Sequence, residues 1–230
     1  MIDYAAFDVL TFDCYGTLID WESGIIAALR TALGRSGAGR TNEELLALFA
    51  RHEHDAEVPY KRYRDVLALT ATRIGEDLGA PVSAELAAAF GGSVSDWPAF
   101  ADSSEALHRL HARFRLGVIT NCDDDLFAAS AARLGVTFDH LMTAQRAGAY
   151  KPDHAPFHAA HAAIGTPPER ILHVAQSLFH DHVPAKELGL TTGWIDRRAG
   201  RRGGGAARPA SATPDVTFPT LAAFADAVGA

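Results

Sequence analysis

Six short apolar runs punctuate the chain: Val9–Asp13, Leu116–Thr120, Leu141–Ala144, Ile171–Ala175, Thr192–Ile195 and a weaker one at Val216–Phe218. Short runs rich in β-branched residues predict strands buried on both faces of a parallel sheet. Between the later runs, apolar residues recur at helical spacing over Ser103–Phe114, Asp125–Leu134, Pro156–Ile164 and Pro184–Leu188. Gly135, Gly165 and Gly189 stand where helices of this kind end, since glycine accepts the left-handed conformation of a C-terminal cap. Asp102 followed by Glu105 has the spacing of a capping box opening the first helix. Strands alternating with helices predict an α/β fold, a doubly wound parallel sheet covered on both faces.

The stretch from Trp21 to Pro98 breaks this alternation. It carries helical patterns only, at Leu45–His54, Tyr60–Leu78 and Ala84–Phe90, with Thr41-Asn42-Glu43-Glu44 as a capping box before the first. A parallel crossover needs one helix, so the excess predicts an inserted all-helical subdomain. Residues 1–18 and 99–230 are then a discontinuous α/β core, and residues 19–98 a cap over the carboxyl edge of its sheet.

Composition narrows the class of protein. The 230 residues are 48% hydrophobic, enough for a substantial core, and the formal charge of −7 argues against a nucleic-acid or anionic-membrane surface. No run is long and apolar enough to span a bilayer, and no signal-like segment opens the chain. Two cysteines, Cys14 and Cys122, make no disulfide framework. A soluble cytoplasmic protein is expected. The Gly-, Arg- and Pro-rich piece Ala199–Pro214 is expected to be a solvated loop.

In open α/β sheets, ligands bind at the carboxyl ends of the strands. Four such ends carry polar groups: Asp13, Thr120-Asn121, Lys151 and Asp181. A carboxylate beside an ammonium stays ionised and can act as a nucleophile. Hydroxyls and backbone amides at strand ends can hold a substrate's anionic group. Asp13, Lys151 and Asp181 each have a structural reading taken singly; together they predict an active site.

At these motifs the chain resembles the haloacid dehalogenase superfamily. Asp13-Cys14-Tyr15-Gly16-Thr17 is similar to its first motif, Ile119-Thr120-Asn121 to the second, Tyr150-Lys151-Pro152-Asp153 to the third and Ala175-Gln176-Ser177-Leu178-Phe179-His180-Asp181 to the fourth. The resemblance implies a Rossmann-like core and a helical cap. Phosphatases of the superfamily carry an acid where Tyr15 stands and a metal-binding carboxylate where Gln176 stands. Both replacements favour chemistry with neither a phosphoryl group nor a metal, and Tyr15 resembles the L-2-haloacid dehalogenases instead.

What that group implies is hydrolytic dehalogenation of short 2-haloalkanoic acids with no cofactor. Asp13 displaces halide with inversion and leaves an aspartyl ester that water hydrolyses to a 2-hydroxy acid. Lys151 keeps Asp13 ionised, Asp181 orients Lys151 or activates water, and Thr17 hydrogen-bonds Asp13. Tyr15, Thr120, Asn121 and Ser177 are the expected substrate contacts, and homodimers are expected by resemblance. Arg51 is the best match to a cap arginine that receives the halide, against the alternative of an exposed helix arginine and with Lys61 and Arg64 as competing cations. Phe157 and Leu178 depart from the group's pattern of a tyrosine and an asparagine. His180 is placed at the pocket, His182 away from it, and His52 and His54 on the helix surface; Cys14 and Cys122 are expected as buried fillers. The alternatives are a phosphatase acting on a small phosphomonoester and a binding protein of the same fold without turnover.

Overall fold

The computed structural model describes residues 2–199 and 205–230. Six parallel strands form one sheet: β1 (Val9–Phe12), β2 (Arg115–Thr120), β3 (His140–Thr143), β4 (Ile171–Ala175), β5 (Thr191–Ile195) and β6 (Val216–Phe218). Their order is β3-β2-β1-β4-β5-β6, so β1 lies in the middle, where the winding direction reverses. Phe12 is level with Val118 on one side and Val174 on the other, which brings the carboxyl ends of three strands together. That reversal point is where this architecture opens a crevice.

Between β1 and residue 98 the chain forms five α-helices: α1 (Trp21–Leu33), α2 (Arg35–Ala38), α3 (Asn42–Ala56), α4 (Tyr63–Asp77) and α5 (Ala84–Gly92). The later helices are α6 (Ser103–His111), α7 (Asp124–Leu134), α8 (Ala144–Ala147), α9 (Ala155–Ile164), α10 (Val183–Glu187) and α11 (Leu221–Ala227). A wide π turn over Leu178–His182 leads into α10. Leu10 and Phe12 of β1 share one apolar cluster with Ile25, Phe49 and Val66 of the inserted helices, so insert and sheet are packed as one body on that side. On the opposite face, Ile119, Phe157, Ala160, Ala185 and Leu190 form a smaller cluster. Among the described residues no helix is long and apolar enough to cross a membrane.

Local signals explain most of the boundaries. Thr41 and Glu44 make the reciprocal capping box at the start of α3. Gly135 and Gly165 close α7 and α9 with φ of 71° and 67°. Gly24 faces Trp97 so closely that a Cβ there would lie 2.3 Å from the indole, which restricts the position to glycine.

Three expectations change. Asp102 does not cap α6; its carboxylate accepts from Arg197 at 2.8 and 3.0 Å and from the amides of Leu221 and Ala222 at 2.8 and 3.1 Å, so it caps α11 instead. The helix expected from Tyr60 begins only at Tyr63, because Asp123, from the loop after β2, accepts the amides of Tyr63 and Arg64 at 3.1 and 3.2 Å. The expected solvated loop lies partly, at 200–204, outside the described residues. Within its described part Ala206 is buried, its amide donating to Glu22 Oε1 at 3.0 Å, and Arg208 pairs with Asp55 at 3.2 Å.

Asp123 thus ties the first turn of α4 to the core. Asp123→Ala removes both acceptors, and losing an N-terminal cap of this kind costs about 1–2 kcal/mol. The expected outcome is faster tryptic cleavage within residues 60–78 than in the native protein, with the sheet's circular dichroism unchanged.

Candidate active site

Asp13 follows the last residue of β1, and its amide still pairs with the Val174 carbonyl at 3.2 Å. The chain then turns sharply. The amides of Leu18 and Ile19 converge on the Cys14 carbonyl at 2.8 and 3.0 Å, and Gly16 adopts φ of 97°. A Cβ at Gly16 would stand 3.0 Å from Trp21 Nε1 and 3.1 Å from Gln176 Oε1, so conformation and space both require glycine. The turn brings Thr17 back beneath Asp13, where its hydroxyl donates to Oδ2 at 2.8 Å and accepts from the Gln176 amide at 2.9 Å. Arg197, just beyond β5, donates to the Thr17 carbonyl at 2.9 Å while stacking on Phe100 at 4.2 Å.

Lys151 reaches the same point from the loop after α8. Asn121 fixes its backbone, accepting the Lys151 amide at 2.8 Å and donating to its carbonyl at 2.9 Å. The ammonium is 1% exposed and donates to Asp13 Oδ1 at 2.9 Å, Asp181 Oδ1 at 2.6 Å and the Ile119 carbonyl at 2.7 Å. Its three protons are all used. Asp181, in the π turn, also accepts from His173 Nε2 at 3.0 Å, and His173 Nδ1 contacts Thr11 Oγ1 at 3.0 Å. Asp181 Oδ2 is buried with no hydrogen-bond partner.

The charges follow from this packing. Burial opposes the Lys151 ammonium, but Asp13 and Asp181 outweigh it and hold the group above its ordinary value. Burial likewise opposes ionisation of Asp181, yet Lys151 and His173 hold that carboxyl well below the usual range. Asp13 ends up raised: burial lifts it, and Lys151 and Thr17 offset that only in part against the neighbouring Asp181 charge. Burial takes His180 down to about 4, so it is neutral at pH 7.

The carboxylates and ammonium open onto a cavity of about 30 Å3, roughly the volume of a single water molecule. Asn121, Ser177 and His180 line its core side; Trp21, Glu53 and Tyr63 close it from the inserted helices. A groove of about 610 Å3 between α1 and α5 is larger, but Asp96 is the sole charged residue lining it. The small cavity holds the chemistry.

Most expected residues meet here, and several differ in role. Tyr15 lines the cavity with its ring, while its hydroxyl turns away to Ser130 Oγ at 3.0 Å and accepts from Cys122 Sγ at 3.3 Å. Ser177 Oγ caps the π turn, accepting the His180 amide at 3.0 Å. Thr120 lies outside the lining, buried with an unpartnered Oγ1. Arg51 is the main correction. Its side chain is 71% exposed and faces Asp77 at 3.4 Å, away from the cavity. The buried side of α3 carries Leu45, Leu46, Phe49 and Glu53, and Arg51, two residues from both Phe49 and Glu53, falls about 200° around the helix from each. His54 is less exposed than expected: its ring packs edge-on to Phe179, with centroids 5.9 Å apart. Phe157 packs against the His173 ring at 5.3 Å, filling the face beneath the acid pair.

Sequence reasoning missed Glu53, Tyr63, His173 and Arg197. Two carried a signal: Glu53 sits on the apolar stripe of α3, and His173 interrupts the apolar strand Ile171-Leu172-His173-Val174-Ala175.

Comparison with known proteins agrees with this arrangement. Residues 7–178 match the model of the haloacid dehalogenase-like hydrolases, and the chain belongs to that family. It is 27% identical to a (S)-2-haloacid dehalogenase of Pseudomonas putida over 199 residues, covering 83% of this chain and 85% of that protein. Its fold matches an L-2-haloacid dehalogenase from Xanthobacter autotrophicus, with a TM-score of 0.79 at 20% identity over 97% of this chain and 98% of that one. It matches equally, at 0.79 and 16% identity over 97% and 99%, a putative HAD-hydrolase from Bacillus subtilis bound to magnesium. The fold alone therefore does not choose between metal-bound and metal-free chemistry. The donor set does discriminate. A dication needs converging oxygen ligands, whereas here both acids turn Oδ1 to an ammonium and Thr17 occupies Asp13 Oδ2, leaving Asp181 Oδ2 as the one unpartnered oxygen of the two acids. Gln176 is a neutral amide, and among the described residues no group of three or more His, Cys, Asp or Glu side chains could hold a metal. These residues do not fit a magnesium ion.

Removing the ammonium leaves two buried acids facing one another. Lys151→Met is expected to lower stability by about 3–5 kcal/mol at pH 7 in urea denaturation. Arg51→Ala, on the exposed face, should stay within about 0.5 kcal/mol of the native protein.

Proposed function

We propose that the protein hydrolyses the carbon–halogen bond of short 2-haloalkanoic acids through an ester on Asp13. The observation that carries this reading is the pairing of a lysine-held, buried Asp13 with a tyrosine two residues later whose hydroxyl faces Ser130 and Cys122. A phosphomonoester needs a proton donor there for its leaving alcohol, while a halide leaves without one. The names of the relatives from Pseudomonas point the same way.

In the first step an Asp13 oxygen attacks the halogen-bearing carbon, the carbon–halogen bond breaks, and its electron pair leaves with the halide. In the second, water attacks the carboxyl carbon of Asp13; one of its protons ends on the departing alkoxide oxygen, giving the 2-hydroxy acid, the other is released by way of Asp181 to solvent, and the Asp13 carboxylate is restored. Asp181 Oδ2, buried and unpartnered, is free to accept a hydrogen bond from that water and orient it, and Lys151 stabilises the charge on the Asp13 carboxyl throughout. The amides near Tyr15 and Asn121 are neutral donors for the substrate carboxylate. A cavity of about 30 Å3 is smaller than any haloacid, so entry requires the inserted helices to part from the sheet.

Halide release from chloroacetate or 2-chloropropionate should proceed in EDTA and vanish in Asp13→Ala. A single turnover in ¹⁸O-water should label Asp13 on mass spectrometry. Magnesium-dependent release of phosphate from small esters, with no halide from any haloacid, would overturn the proposal. Asp13 must be ionised to attack, and its carboxyl is raised above the ordinary 3.8. Rate should therefore fall with acidification at a pH higher than an ordinary aspartate would set.

A further inference from the structure

A departing halide carries away a full bonding pair and needs donors on the side opposite the nucleophile. In this site that side is the inserted helices. None of their cations is turned to the cavity: Arg51 faces Asp77, Lys61 Nζ donates to the carbonyls of Ala56 and Pro59, and Arg62 and Arg64 pair with Asp123 and Asp125. Lys151 has no proton to spare. The polar groups that do close the cavity from α3 and α4 are Glu53 and Tyr63. Glu53 is only 6% exposed; Tyr63 OH donates to its Oε1 at 3.2 Å, and Oε2 has no hydrogen-bond partner among the described residues.

We propose that Glu53, as a neutral carboxylic acid, is the donor that receives the halide from the cap side, in place of a guanidinium. The assignment rests on the dehalogenase reading for its role in turnover, but not for the halide site itself. The step balances without proton transfer. The carbon–halogen pair leaves with the halide, and the Glu53 proton stays on its oxygen as a hydrogen bond, because a hydrogen halide is the stronger acid.

The surroundings support a protonated Glu53. Burial lifts its carboxyl to about 7, opposed by the Tyr63 hydrogen bond and by the charge of Arg208. One turn along α3, burial and the Glu53 charge lift Glu57 to about 10, so that neighbour is neutral as well. His54 contacts Glu57 at 3.4 Å, and Asp13, Lys151, Asp181 and His180 face Glu53 across the cavity. An ionised Glu53 would instead add a charge of the same sign as both substrate and halide. The direction follows: halide binding is strong while Glu53 holds its proton and is lost as pH rises through about 7, the reverse of the dependence set by Asp13.

The test is bromide binding to the full chain between pH 5.5 and 8.5, read by tryptophan fluorescence, since Trp21 lines the cavity. Above the Glu53 midpoint, native affinity should fall about tenfold per pH unit. Glu53→Gln keeps a neutral donor and should bind with little pH dependence; Glu53→Leu should bind weakly throughout. Tyr63→Phe removes a bond that favours the ionised acid and should move the midpoint upward, an effect that a merely structural Glu53 would not produce. A flat native profile, or a native-like profile in Glu53→Gln, overturns the assignment; if that variant does not fold, an unmoved midpoint in Tyr63→Phe does so. Native protein that binds bromide as expected but releases no halide from haloacids would sink the dehalogenase reading and leave the halide site standing.

Discussion

An ammonium enclosed with two carboxylates inside a protein is the constraint on which the rest of this structure depends. Neither the lysine nor the acids could be buried alone, because the desolvation of an unpaired charge exceeds what packing returns. Lys151 therefore has to arrive where β1 and β4 deliver Asp13 and Asp181. The parallel register does this by ending both strands level, and the Asn121 amide does it by holding the lysine backbone from both sides. His173, inside β4, secures Asp181 from beneath. With both acids ionised, the cluster keeps one negative charge in surplus, and Asp13 is the more weakly held of the two acids.

The inserted helices complete the site through a few polar links to the core. Asp123 fixes the start of α4, which sets Tyr63, and Tyr63 in turn holds Glu53 across the cavity from Asp13. Tyr150 adds a bond from its hydroxyl to the Lys61 carbonyl at 2.8 Å. Such links are directional and few, in contrast to the continuous apolar packing behind them.

The strands, their order of function and the convergence of Asp13, Lys151 and Asp181 were legible because they rest on local signals: apolar runs, a strand-terminal acid, motif spacing. Capping boxes were legible only where both partners are neighbours, as with Thr41 and Glu44. Asp102 has the same local appearance, yet its carboxylate serves Arg197 and α11 far along the chain. The facing of α3 was harder still. Arg51 and Glu53 differ by two positions in sequence and by most of a half-turn in space, and only the packing of Leu45, Leu46 and Phe49 decides which of them looks at the cavity. A charge that periodicity places on an apolar face was the available clue, and it pointed to an acid.

The chain of contacts through Arg197 has a consequence for the order in which the protein becomes competent. Asp102 holds both the amides of α11 and the guanidinium of Arg197, and Arg197 holds the Thr17 carbonyl. Thr17 in turn sets the oxygen of Asp13 that it bonds. During synthesis from the N-terminus the Asp13 loop emerges early, but two of the groups that shape it, Lys151 and Arg197, emerge long after it. The nascent chain therefore carries an exposed Asp13 without its lysine, an acid of ordinary strength in water. The buried cluster of Asp13, Lys151 and Asp181 can form only when the far half of the sheet docks against β1, so the surroundings of Asp13 are completed last.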